Sequence, residues 1–246
     1  VADALQAPGP DEGLQIADLH AGHGAAPVLR GVTLAVRPGE IVALLGRNGA
    51  GRSTLLQAVM GLLPARGTLR WCQHDLAGLA PHRIARLGVG YVPESRDVFP
   101  GLTVAQNLRL GEQPRRAGRP PPRWRCDELL AMFPALQPRL HTAAGVLSGG
   151  EQQMLTLART LMGDPDVLLV DEPTEGLAPQ VVAQVATLLR LLREQGLAVL
   201  LVEQKLTLAL QVADRCALMG GGRIVFEGTP QQLLAADALR REWLEV

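Results

Sequence analysis

Two periods of hydrophobicity alternate along the chain. Residues 14–19 and 32–36 switch between apolar and polar positions, as strands do when one face rests on a core. Pro38 and Gly39 then turn into 41–45, a continuous apolar run of buried-strand length. After a glycine-rich stretch, Leu55, Leu56, Val59 and Met60 recur at helical spacing, and the helix is expected to stop near Gly61, with Pro64 beyond it. Residues 68–72 read as a short strand and 88–92 as a core strand ending at Pro93 and Glu94. Leu102, Val104, Leu108 and Leu110 predict a short helix, 112–123 a solvated loop stiffened by proline, and 129–133 a further helix.

Beyond that point strands and helices alternate strictly. Residues 167–170, 197–202 and 216–219 are short apolar runs. Between the first two, Val181, Val185, Leu188, Leu189 and Leu192 mark one face of a helix over 181–193, and 207–212 is helical as well. Gly220 to Gly222 turn into 223–227, and 231–244 reads as a helical tail. The alternation predicts an α/β domain built on a mostly parallel sheet covered on both faces, with 95–160 as a helical insertion. Residues 1–13 are expected to form a flexible tail, 14–240 a single domain, and 241–246 a C-terminal tail.

Composition narrows the class. With 246 residues, 47% hydrophobic and 20% charged, the chain is globular and large enough for a full core. A formal net charge of zero gives no electrostatic basis for binding nucleic acid or an anionic membrane. No apolar run has the length needed to cross a bilayer, and 1–13 lacks the apolar core of a signal peptide. Cys72, Cys126 and Cys216 are odd in number, lack metal-ligand spacing, and fit isolated thiols in a reducing compartment.

The chemistry centres on residues 46–54. Gly46, Gly49 and Gly51 remove Cβ atoms between a strand and a helix, so that backbone N–H groups of Arg47, Asn48, Ala50 and their neighbours converge on an anion. The helix that follows adds its free amides and positive end. Arg52 supplies a cation, and the Ser53 hydroxyl is placed for Mg²⁺ beside a nucleotide's terminal phosphates, with Thr54 next to it. Arg52 departs from the lysine of the phosphate-loop motif: a planar five-donor fork replaces a compact ammonium. This swap is expected to preserve nucleotide binding while impairing transition-state placement.

Further along, Asp171 and Glu172 end an apolar strand, where ligands of parallel sheets sit. Asp171 is the expected Mg²⁺ ligand and Glu172 the group that polarises the attacking water. Ser148 and Glu151, three residues apart, form a capping box at a helix start. Gly149 and Gly150 behind that cap weaken the helix and leave backbone amides that can take an anion.

In this order, the glycine loop, the string Leu147 to Gln153, and the run into Asp171 and Glu172 resemble the ATP-binding subunit of an ABC transporter. The resemblance covers about residues 14–240. It implies a phosphate-loop NTPase cassette with an N-terminal antiparallel β subdomain and an inserted α-helical subdomain. It also implies ATP and Mg²⁺ as ligands, and two subunits, identical or not, stacked head to tail. Ser148, Gly149, Gly150 and Glu151 of one subunit would then close over the nucleotide on the other's phosphate loop. Residues 90–94, 98–104, 175–179 and 201–204 are similar to those of importers of branched-chain amino acids, and more closely to the second of their two ATP-binding subunits; urea and amide importers use related subunits. This places the chain at the cytoplasmic face of a membrane, against permease subunits, with residues 94–108 as the contact. Apolar Val98, Phe99, Leu102 and Val104 suit either a docking groove or the core.

Aligned on this family, His23 occupies the place of the aromatic that stacks on adenine, and Glu94 that of the lid-loop glutamine that senses Mg²⁺. Gln204 takes the place of the switch histidine near the γ-phosphate, and Ala178 that of an aspartate after the catalytic glutamate. With Arg52, these changes point to slow hydrolysis. The alternatives are a nucleotide-dependent regulatory subunit with little hydrolysis, or a soluble cassette acting on DNA or ribosomes. Neutral charge and a single compact cassette speak against the last.

Overall fold

The computed structural model describes residues 13–24, 26–113, 121–204 and 206–244. The expected tail at 1–12 therefore lies outside the described residues.

Two sheets organise the chain. The first has strand order β2 (Ala26–Val36), β1 (Leu14–His23), β4 (Ala65–Trp71), β5 (His74–Asp75), with every pair antiparallel. The second runs β10 (Arg223–Gly228), β9 (Arg215–Gly220), β3 (Ile41–Leu45), β8 (Ala198–Val202), β7 (Val167–Asp171), β6 (Val89–Val92). Only β10 is antiparallel to its neighbour in this sheet. Strands β3, β7, β8 and β9 are buried along their whole length, which is why they are apolar runs instead of alternating ones, apart from Asp171 at the end of β7 and Arg215 at the start of β9.

Helices cover both faces. Helix α1 (Arg52–Val59) packs with the antiparallel sheet over one face, where Leu29, Val32, Leu44 and Leu55 share a core. On the other face lie α3 (Val104–Gly111), α4 (Cys126–Met132), α5 (Gly149–Leu161) and α6 (Pro179–Glu194), around Leu108, Leu155, Leu168 and Leu189. A third cluster under α7 (Leu206–Val212), α8 (Pro230–Ala235) and α9 (Asp237–Trp243) includes Leu45, Leu218 and Leu233.

Several elements differ from the sequence reading. The strand expected over 14–19 continues to His23, because a bulge at Ala17 and Asp18 turns two successive residues outward and breaks the alternation. The strand expected over 68–72 starts at Ala65 and ends at Trp71; Cys72 leaves it at φ 50°. Met60 is the C-cap of α1 and not a helical residue. The short α2 (Pro81–Arg86) buries only Ile84, too little for a visible period. The expected terminal helix is two helices broken at Ala236. Residues 241–243, expected as part of a tail, form the last turn of α9. There the Trp243 ring packs so closely over Gly220 that a Cβ on that glycine would lie 2.4 Å from it.

Of the loop expected over 112–123, residues 114–120 lie outside the described residues. Arg123 at its end is anchored to protein: its guanidinium reaches Asp164 at 3.0 Å, Asp166 at 2.8 Å and the Pro165 carbonyl at 2.6 Å. The two sheets are joined by Arg215, 6% exposed, which donates to Glu40 at 2.9 Å and to the Ala35 carbonyl at 2.5 Å, and also pairs with Glu227.

Candidate functional site

At the carboxyl end of β3 the chain turns through residues 46–51 into α1. Gly51 is the N-cap at φ 106°, a left-handed conformation that leaves the helix start without a side-chain cap. A side chain at this position would also press on Val28 and Leu29 at 3.0 Å. The first-turn amides of α1 thus face the cavity with no internal oxygen on them, the arrangement that receives an anion.

Arg52, the first residue of α1, is 5% exposed. One guanidinium nitrogen donates to the Glu203 carbonyl at 2.8 Å. The other donates to Asn48 Oδ1 at 3.1 Å and to Glu172 Oε1 at 2.6 Å. The phosphate-loop cation therefore pairs directly with the carboxylate placed at the end of β7. Glu172 itself sits at φ 42°, a sparsely populated conformation for a side-chain-bearing residue, and its amide is held by the Val202 carbonyl at 3.0 Å.

Beside this pair, Ser53 Oγ donates to Asp171 Oδ1 at 3.1 Å. Burial pushes the Asp171 carboxyl up to about 6, with the Ser53 hydrogen bond working against the shift and the charge of Glu172 adding to it. Burial, and then the nearby Asp171 carboxylate, also hold the Tyr91 phenol well above its ordinary range. A hydroxyl and a carboxylate that carries its charge at a cost form a hard oxygen pair suited to Mg²⁺. Glu94 lies across the cavity, where its carboxyl oxygen comes within 4.8 Å of those of Glu172 and Glu175. Its pKa is raised, first by burial and then by a hydrogen bond with Glu175 and by the charges of both neighbours.

Arg52, Ser53, Glu94 and Glu172 line a cavity of about 280 Å³ whose walls also include Asn48, Gly49, Gly51, Thr54 and Glu175; Asp171 and Tyr91 line an adjoining one of about 700 Å³ that shares Ser53 and Glu94. His23 ends β1 at its edge, with Nε2 3.4 Å from Thr54 Oγ1. Arg47 is exposed and Ala50 half-buried on the loop itself. Gln204 is exposed on the bend after β8 and does not line the cavity, although Glu203 before it holds Arg52. Ser148, Gly149, Gly150 and Glu151 lie outside it too, at the start of α5. There Ser148 accepts from the Glu151 amide at 3.3 Å while Glu151 accepts from the Ser148 amide at 2.8 Å. Tyr91 and Glu175 fall within the strings 90–94 and 175–179 that carry the family resemblance, but the sequence reading assigns neither a role in the site.

Asp171 yields a pH test. Its folded-state pKa is raised from 3.8 to about 6, so ionisation opposes folding above that value, and protonation relieves the strain as the pH falls. Without metal, Asp171→Asn is expected to raise stability above pH 6 by about 2–3 kcal/mol. The gain should shrink toward zero as pH drops toward 4, in thermal melts run across that range.

A glycine loop between a buried strand and a helix, opposite acids at the end of a parallel strand one strand removed in the same sheet, defines a phosphate-loop nucleotide-binding cassette. Residues 29–175 match the family model described as ABC transporter, and the chain belongs to that family. It is 41% identical over 223 residues to the high-affinity branched-chain amino acid transport ATP-binding protein BraG of Pseudomonas aeruginosa, covering 90% of this chain and 95% of that one. It is 35% identical over 230 residues to the probable branched-chain amino acid transport ATP-binding protein LivF of Archaeoglobus fulgidus, covering 93% and 97%. Among solved structures, one titled as the ATP-binding subunit of an ABC transporter superposes with a TM-score of 0.79 at 29% identity, covering 94% of this chain and 92% of that one. The chain is thus a transport-coupled ATPase cassette. Among the described residues, no helix is long and apolar enough to cross a membrane.

Proposed function

We propose that this chain is the ATP-hydrolysing subunit of an importer for branched-chain or related amino acids. It works as a head-to-tail dimer with an identical or related cassette, on permease subunits at the cytoplasmic face of the membrane. The observation that carries the reading is the meeting of Arg52, Ser53 and Glu172 around one cavity, with Asp171 hydrogen-bonded to Ser53 behind it, in a chain that aligns over nine-tenths of its length with BraG and LivF. The first-turn amides of α1 and Arg52 bind the phosphates, and His23 lies where adenine would stack. Ser53 and Asp171, with Glu94 across the cavity, would hold Mg²⁺, which would supply positive charge beside the phosphates. Glu172 orients and polarises water, and Gln204 approaches when the second cassette closes. Ser148 to Glu151 meet the nucleotide of that second cassette.

The permease contact falls on the lid loop. A cavity of about 700 Å³ adjoins the nucleotide site, sharing Ser53, Glu94 and Asp171 with it and reaching Leu62, Asp97 and Gln152, and Phe99 stands 51% exposed, with Arg159 5.2 Å above its ring. Val104 belongs to the core instead.

One observation favours a slow cassette. The Arg52–Glu172 pair, 5% and 10% exposed, occupies both the phosphate cation and the water-polarising carboxylate. Arg52→Lys, which loosens that fork, is expected to raise ATP turnover by about tenfold, the scale of one charge-assisted hydrogen bond. Rapid turnover that is unchanged by Arg52→Lys would remove the slow-cassette reading. Co-purification from membranes identifies the partners: recovery with a permease and an amino-acid-binding protein supports the importer, and recovery with urea or amide transport components reassigns the cargo.

A further inference from the structure

The structure assigns to Arg96 the role of a positioning residue that ties the chain's own nucleotide cavity to the surface it offers the second cassette. Resting on the nucleotide reading above, this inference adds a residue that neither the phosphate loop nor the acids at β7 explain.

Arg96 lies in the loop after β6, two residues beyond Glu94, at φ 55°. A left-handed arginine is unfavourable and persists only where its surroundings fix it. Here they do. The Thr156 hydroxyl, buried inside α5, donates to the Arg96 carbonyl at 3.1 Å. The guanidinium donates to the Glu175 carbonyl at 2.8 Å and runs past Gly176. Its other end lies against Gly149, so close that a Cβ on that glycine would sit 2.4 Å from the nitrogen. The tip of the Arg96 side chain thus lies directly against the start of α5 at Gly149.

The contact is not a helix cap. A cation at a helix start opposes the macrodipole, and α5 is already capped by Ser148 and Glu151. What the guanidinium does is join three segments. The lid loop carries Glu94, the loop after β7 carries Glu172 and Glu175, and the start of α5 carries Ser148 to Gly150. The first two line the chain's own cavity, and the carboxylate oxygens of Glu94, Glu172 and Glu175 lie within 4.8 Å of one another there. The third faces the second cassette's nucleotide. Filling the cavity rearranges the acids around Glu172, and Arg96 carries that rearrangement to the start of α5. A nucleotide bound at one half-site thereby prepares the other.

Hydrogen–deuterium exchange on the full chain tests this, with Mg²⁺ and the non-hydrolysable analogue AMP-PNP as the probe. In the wild type, nucleotide is expected to slow exchange at 46–54 and also, by about fivefold or more, at 148–153, the lower end of ordinary coupling between sites. Arg96→Gly suits the left-handed backbone and so should melt at or above the wild-type temperature. It should bind the analogue within about twofold of the wild-type affinity, yet lose the response at 148–153 while keeping that at 46–54. A merely structural arginine would not split binding from response. Should Arg96→Gly fold poorly, Arg96→Gln repeats the measurement with the β-carbon retained. A response at 148–153 that survives in the variant, or is missing in the wild type, overturns the role of Arg96. Absence of protection at 46–54 in the wild type instead overturns the nucleotide reading beneath it.

Discussion

Glu172→Gln is expected to lower steady-state ATP turnover by at least about a hundredfold, the usual scale for losing a positioned general base. Magnesium nucleotide should meanwhile bind more tightly than to the wild type. Both effects follow from one contact. In the free chain Arg52 spends a guanidinium nitrogen on Glu172 at 2.6 Å, in a nearly dry setting. Incoming phosphates must draw the arginine away from that carboxylate before it can serve them. A neutral amide holds the fork less strongly, by about 1.5 kcal/mol, which corresponds to roughly tenfold in affinity. Turnover and calorimetric titration on the same preparation read the two effects separately. Unaltered turnover would remove Glu172 from the chemistry, and weakened binding would mean that the pair does not compete with nucleotide.

Arg215→Ala is expected to destabilise the fold by about 3–5 kcal/mol, read from urea or thermal unfolding. Burial works against the charge of Arg215, and the hydrogen bonds and charges of Glu40 and Glu227 more than offset it, leaving its pKa above the ordinary range. Removing the guanidinium strands the Glu40 carboxylate, 13% exposed, and frees the Ala35 carbonyl at the seam between the sheets. Arg193 offers the control. Its pair with Asp214 is 32% and 40% exposed, and Arg193→Ala should cost under about 1 kcal/mol, because water screens such a bridge. Equal losses in the two variants would mean that Arg215 is not the clamp described.

The legible parts of the chain were those in which one physical demand governs every residue. Strands β3, β7 and β8 need apolar side chains on both faces, so their positions could be read directly. The capping box of Ser148 and Glu151 was equally plain, since both halves lie within four residues. The bulge at Asp18 was hidden because it breaks the alternation that reveals a strand, and α2 because a single buried isoleucine makes no period. The phosphate loop and the acids at β7 were readable as separate motifs, but the bond between Arg52 and Glu172 was not. It spans 120 residues and depends on how β3 and β7 lie on either side of β8. Arg96 was invisible for a related reason: its partners are a backbone carbonyl and the empty side of a glycine, and neither leaves a trace in residue type.

The central claim is that the cavity at the start of α1 takes the phosphates of a nucleotide through backbone amides and Arg52. Equilibrium titration of the full chain with Mg²⁺ and AMP-PNP tests it most directly. The account requires saturable uptake of one nucleotide per chain; a folded protein that shows no saturation would contradict it.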